Sequence, residues 1–315
     1  MRTQLHGRFL IKRFRDGSAK RKAEGSKHLR LPPSAFCIPP SSLWTYFRDT
    51  ALVLQPPASS LRPHMIIAVI GKGGVGKTTL ASLILRRLLE CGQTPILAID
   101  ADPSSCLGPA LGIAVGRTLA DLRESMRETA DRPPSMSAGE WLALGAQEAI
   151  VENRGFDLLT MGRPEGKGCY CFVNNLIREH LDRLARSYRH VLLDCEPGLE
   201  HLSRRTSGRP DALICVTNRS RMAAETIRRS LALYREIHGG LPPRADLMLN
   251  QFEPAEPLAA EMTRIAAGAN VAFRRVLAVP SDPQVASFEA AGTSLLKLDP
   301  ATPALAALRA WELPA

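Results

Sequence analysis

The chain predicts an α/β fold, a mostly parallel β-sheet with helices on both faces, and three observations carry that expectation. From Met65 onward, short apolar runs rich in β-branched residues alternate with stretches whose apolar positions recur every three or four residues, the pattern of strand-helix-strand units. A glycine-rich turn separates the first such run from the first helical stretch. Acidic residues, Asp100 and Asp194, end two of the runs, where sheets of this class meet their ligands.

The first 64 residues stand apart. They hold 12 of the 41 Lys and Arg but 3 of the 31 Asp and Glu, so +9 of the net +10 sits there. Basic clusters, Lys12 to Arg15 and Lys20 to Lys22, mix with the pairs Pro32-Pro33, Pro39-Pro40 and Pro56-Pro57, and no helical or strand period runs through them. Residues 1–64 are expected to be a disordered leader, or to lie upstream of a true start at Met65. Their apolar stretches are too short for a secretory signal. Residues 65–315, at about neutral charge, are expected to form one domain with no charge-based case for nucleic acid as a partner. With 45% hydrophobic residues and no apolar run of about 18, the composition excludes fibrous and membrane-spanning classes. Seven cysteines, an odd count without an export signal, point to the cytoplasm.

The elements follow in order. Met65 opens a strand through Ile70, and Gly71-Lys72-Gly73-Gly74-Val75-Gly76-Lys77-Thr78 comes next, ahead of a helix over Thr79 to Leu89. That octapeptide satisfies G-x-x-x-x-G-K-[ST] in its required strand-loop-helix setting, which makes the chain a P-loop NTPase that binds ATP with Mg²⁺. Its glycines let backbone N–H groups close on phosphate oxygens, Lys77 neutralises the β and γ phosphates, and Thr78 offers a hydroxyl to Mg²⁺. A strand over Pro95 to Ile99 runs into Asp100-Ala101-Asp102, whose i, i+2 spacing puts both carboxylates on one side if the segment stays extended. Asp157 to Met161 forms the next strand. The helix marked by Leu176, Ile177, Leu181, Leu184 and Tyr188 begins near Asn174, a suitable N-cap. His190 to Leu193 is a strand ending on Asp194, expected to hold Mg²⁺ through water. Strands over Ala212 to Thr217, Ala245 to Leu249 and Val276 to Val279 complete the sheet.

One pair of cysteines is not strand filler. Cys169 and Cys171 stand just before that helix, at i, i+2. A helix N-terminus favours thiolates, and two thiolates per chain make half of a Cys₄ metal site that a two-fold axis completes. A redox disulfide or two packed thiols are the alternatives, and Zn²⁺ suits the donors as well as Ni²⁺.

Lys72 to Thr78 reads KGGVGKT and resembles the signature of the deviant Walker A ATPases. The resemblance implies that Lys72 reaches into a partner subunit's nucleotide site, so that ATP closes a homodimer. It implies that Asp102 activates the attacking water, with Asp100 near the Mg²⁺ shell, and that Thr79 extends the phosphate contacts. Asn250 and Pro280 resemble the residues that border adenine. Cys169-Tyr170-Cys171, Met161 to Gly166, Asp100 to Gly108 and Gly198 to Leu202 together resemble the CooC-type maturation ATPases of nickel carbon monoxide dehydrogenase. That likeness implies a metallochaperone which binds nickel between two copies and delivers it to apo carbon monoxide dehydrogenase, with no membrane or nucleic acid partner. Ser104 departs from it, since relatives commonly carry an acid there. A positioning or partition ATPase of the MinD and ParA type shares the nucleotide residues. An iron-sulfur protein like the nitrogenase iron protein is disfavoured, because Gly198 to Arg209 contains no cysteine.

Overall fold

The computed structural model describes residues 65–125, 133, 135–163, 179–196, 209–253, 260, 263–265, 267 and 272–314; the leader, Cys169 and Cys171, Asn174 and the stretch 197–208 lie outside them. Eight strands make one sheet: β1 (Met65–Gly71), β2 (Ile96–Asp100), β3 (Ile150–Asn153), β4 (Phe156–Thr160), β5 (His190–Asp194), β6 (Ala212–Thr217), β7 (Arg244–Phe252) and β8 (Arg275–Pro280). Their order is β3-β4-β2-β5-β1-β6-β7-β8. Every pairing is parallel except β3 with β4. β2 to β5 lie on one side of β1, and β6 to β8 on the other. The crevice at the carboxyl end of β1 is therefore a switch point, where such sheets bind ligands.

The six inner strands, β4 to β7 in sheet order, are buried almost throughout, which is why they read as continuous apolar runs rather than alternating ones. On one face lie α1 (Lys77–Glu90), α2 (Leu107–Leu111), α6 (Pro283–Ala290) and α7 (Pro303–Arg309). There Leu80, Ile84 and Leu88 of α1 pack on Ile67, Val69 and Ile214, with Leu305, Leu308 and Trp311 closing the layer. The opposite face carries α3 (Leu119–Ser125), α4 (Ala138–Glu148) and α5 (Arg221–His238). Its core joins Leu122, Leu142, Leu181, Ile227 and Tyr234 to Ala68, Ile70 and Leu213. No helix among the described residues is long and apolar enough to cross a membrane.

Sequence reading misses β3. Ile150–Asn153 returns antiparallel on β4 through the turn at Arg154 and Gly155, where Gly155 has φ 86. A four-residue edge strand with two exposed positions carries too little period to announce itself. The cysteines in or beside strands behave as expected: Cys195 and Cys215 are buried, and burial pushes both thiols well above the usual range.

Candidate functional site

The turn after β1 has the conformation its glycines predict. Gly74 and Gly76 sit at φ 80 and 85, the left-handed region that side chains disfavour. Such alternation converges successive backbone N–H groups into an anion-binding concavity, and the start of α1 at Lys77 adds the positive end of a helix. Lys77 is 7% exposed and its Nζ donates to the Lys72 carbonyl at 3.3 Å. Lys72 itself projects to solvent. Thr78 follows Lys77 into the helix. The Thr79 hydroxyl donates to the Glu289 carboxylate on α6.

Two acids meet this loop because β5 is inserted between β1 and β2. Asp100 and Asp194 are register partners on adjacent strands, and Asp100 also pairs with Thr160 on β4. Parallel partners project to the same face, here the face that α1 covers. Asp194 is 1% exposed, and neither of its oxygens completes a hydrogen bond of ordinary length and angle. Burial pushes its carboxyl up to about 7, against the Thr78 hydroxyl and the Lys77 ammonium, which favour the anion. A buried carboxylate so poor in donors fits a divalent cation. With the Thr78 hydroxyl beside it, this is the donor chemistry a Mg²⁺ ion takes.

Asp100 is occupied differently. Its Oδ1 accepts from the Asp102 N–H at 3.2 Å and its Oδ2 from the Leu107 N–H at 2.8 Å. Burial still raises it to about 6 against those two bonds. The carboxylate therefore folds the following segment back on itself. The extended geometry expected for Asp100 and Asp102 fails for this reason: β2 ends at Asp100, and Asp102 lies in a turn whose Oδ1 accepts from the Ser104 N–H at 2.9 Å. Ser104 thus enters the turn through its backbone, which any residue type supplies.

Beside the loop lies a cavity of about 490 Å³, lined among others by Thr79, Asn250, Pro280, Asp282 and Glu289. Asn250 and Pro280, the two residues expected to border adenine, both line it. Two contributors escaped sequence reading. Thr160, 1% exposed with no partner for its hydroxyl, lies in no motif and is found only through strand register. Glu289 is one charge on an exposed helix face, and only its contact with Thr79 marks it. Cys169 and Cys171 lie outside the described residues. Among the described residues no three His, Cys, Asp or Glu side chains gather as a metal cluster.

Comparison with known proteins agrees with this geometry. The AAA domain family matches residues 64–243. An uncharacterized ATP-binding protein of Methanocaldococcus jannaschii is 44% identical over 176 residues, 55% of this chain and 69% of that protein. The carbon monoxide dehydrogenase accessory protein CooC of Rhodospirillum rubrum is 32% identical over 185 residues, covering 55% and 70%. Among solved structures, the MinD cell division protein of Aquifex aeolicus superposes with a TM-score of 0.57 at 19% identity, covering 79% of this chain and 98% of that one. MinD of Pyrococcus horikoshii, solved with Mg-ADP, gives 0.55 at 21%, covering 78% and 92%. These structures share the fold. The strand-loop-helix phosphate site, the sheet order and the family match converge: the chain belongs to the AAA domain family and is a P-loop ATPase.

Proposed function

We propose that this ATPase is a metallochaperone, in which nucleotide-driven pairing of two copies assembles a nickel site from Cys169 and Cys171 of each, and hydrolysis releases the ion to apo carbon monoxide dehydrogenase. The observation that carries the reading is a single hydrogen bond. The Met161 N–H donates to the Asp100 carbonyl at 2.9 Å, so the stretch leading to Cys169 departs from the end of β4, against the segment that turns at Asp102. In this reading a change in that turn during hydrolysis is passed to Met161, which precedes Cys169 in the chain. The 32% identity to CooC, a carbon monoxide dehydrogenase accessory protein, supports the choice of recipient.

In this reading the N–H groups of Gly71 to Thr79 receive the triphosphate, and Lys77 leaves the Lys72 carbonyl for the β and γ oxygens. Thr78 and Asp194 would hold Mg²⁺, with Asp100 near its shell, and the ion would supply neutralisation of phosphate charge. Asp102 orients water for attack on the γ phosphorus, the bond to the bridging oxygen breaks, and ADP and phosphate leave. Lys72, exposed at the loop, extends to the second copy's phosphates and makes the closed dimer depend on ATP. Asn250 and Pro280 border the base. The working compartment is the cytoplasm, where the thiols stay reduced.

The test is nickel bound per dimer, with and without MgATP, in wild type and in the double variant Cys169→Ser, Cys171→Ser. The expected result is one ion per dimer with MgATP in wild type and none in the variant. Equal binding by both proteins overturns the metal assignment. Zinc retained in preference to nickel moves the cargo to zinc. ATP-dependent pelleting with DNA or liposomes, without cysteine-dependent metal, supports instead a partition or positioning ATPase, the class of a 26% identical ParA of Caulobacter vibrioides.

A further inference from the structure

Asn250 stands between the phosphate loop and the base cavity and touches both. It lies in β7, 7% exposed, within the register shift between Leu249 and Phe252. The next residue, Gln251, adopts φ 56, so the backbone bends away directly after the asparagine. One side of the Asn250 amide faces the loop: its Nδ2 donates to the Val75 carbonyl at 2.9 Å, across 175 residues of sequence. A Cβ on Gly76 would lie 2.3 Å from that nitrogen, so the glycine makes the approach physically feasible. Asn250 also lines the cavity.

A turn whose N–H groups converge on an anion must send the intervening carbonyls elsewhere. Val75 lies between Gly74 and Gly76 and is buried, where a carbonyl without a donor is costly. Holding the Val75 peptide by its oxygen fixes the orientation of the flanking N–H groups before any phosphate arrives, which is preorganisation. We propose that Asn250 is a positioning residue of the phosphate loop, acting through the Val75 carbonyl, rather than chiefly a reader of the base. The proposal rests on the ATP-site reading above.

The test compares affinities for ATP, GTP and inorganic tripolyphosphate, each with Mg²⁺, in wild type, Asn250→Ala and the equally sized Asn250→Asp. Tripolyphosphate has no base, so only an effect transmitted through the loop weakens it. Losing the donor is expected to weaken ATP and tripolyphosphate alike by about tenfold. Asn250→Asp, which sets an oxygen against the Val75 carbonyl, is expected to weaken both further, with the ratio of ATP to GTP affinity unchanged. Amide hydrogen exchange of the ligand-free variants is expected to quicken at Gly74 to Thr78 and not across the sheet, which separates loop positioning from general loss of stability. Should Asn250→Ala not fold, Asn250→Asp carries the same comparison. Unchanged tripolyphosphate affinity in a folded variant, with ATP alone weakened, overturns the proposal. A wild-type chain that binds neither ATP nor tripolyphosphate overturns the underlying ATP-site reading, and the proposal with it.

Discussion

Gly71 shows how one residue serves two masters. The sequence motif accounts for it by the tight turn a phosphate loop needs. The structure adds a second cause, since a Cβ there would lie 2.3 Å from the Val216 carbonyl oxygen, with Val75 packed on the other side. Gly71 and Val216 are register partners in β1 and β6, so the obstructing atom is backbone in the middle of a sheet and has nowhere to retreat. Gly71→Ala is expected to lower stability by about 2–4 kcal/mol, read as a fall in the urea midpoint with an unchanged slope. An ATPase defect without any loss of stability would contradict this account. The motif named the residue correctly and was silent on the packing, because Val216 lies 145 positions downstream.

Among elements, the strand ends on the α1 face are tied by buried polar groups that no local pattern announces. Arg244 and Asp246 of β7 form an ion pair at 2.6 Å with side chains 7% and 1% exposed. Trp311, just beyond α7, donates its indole N–H to Asp246 at 2.8 Å, and Arg244 donates to the Glu312 carbonyl at 2.5 Å. The guanidinium also lies over the Trp311 ring, 5.6 Å from its centroid. Removing the acid alone would leave a buried cation without its counter-charge. Asp246→Ala is therefore expected to cost about 3–5 kcal/mol, measured by thermal or chemical denaturation; a change under about 1 kcal/mol would show that the pair is solvated. α7 itself is short, with Ala304, Leu305 and Leu308 buried. Its apolar side is spent on the core.

For the whole molecule, pH dependence tests how firmly the sheet excludes water. His190 opens β5 between β1 and β2, 3% exposed, with its Nε2 opposite Gln93 Oε1 at 3.2 Å. Burial, aided by Arg189, pushes the imidazole down to about 4. The unfolded chain takes up this proton near pH 6.5 and the folded chain does so only near 4. Its contribution to stability is therefore intact above about pH 6.5 and is lost as pH falls to about 4, by up to roughly 3 kcal/mol. Asp194 and Asp100, raised to about 7 and about 6, act in the opposite sense, since protonation relieves their burial. The measurement is thus a difference: wild type should lose more stability than His190→Gln between pH 7 and 4.5 in urea titrations. Parallel losses would mean that the site is hydrated.

How much of this was legible in the sequence depends on how far each feature reaches along the chain. Seven of the eight strands, the loop Gly71 to Thr78 and the pair Asp100 and Asp194 could be read from the sequence, because burial on both faces leaves unbroken apolar runs and phosphate binding demands glycine and lysine at fixed spacing. The edge strand β3 was too short to declare itself. The folding back of Asp102 was hidden because Asp100 caps the backbone of a residue seven positions on. Local chemistry thus determined that this chain binds and hydrolyses a nucleotide on an α/β sheet. Tertiary structure alone decided that β5 enters between β1 and β2 to bring the two acids together, that Thr160 stands beside Asp100, that Glu289 meets Thr79, and that Asn250 holds the loop. Such contacts depend on which strands become neighbours, and that choice is settled by the collective burial of the sheet.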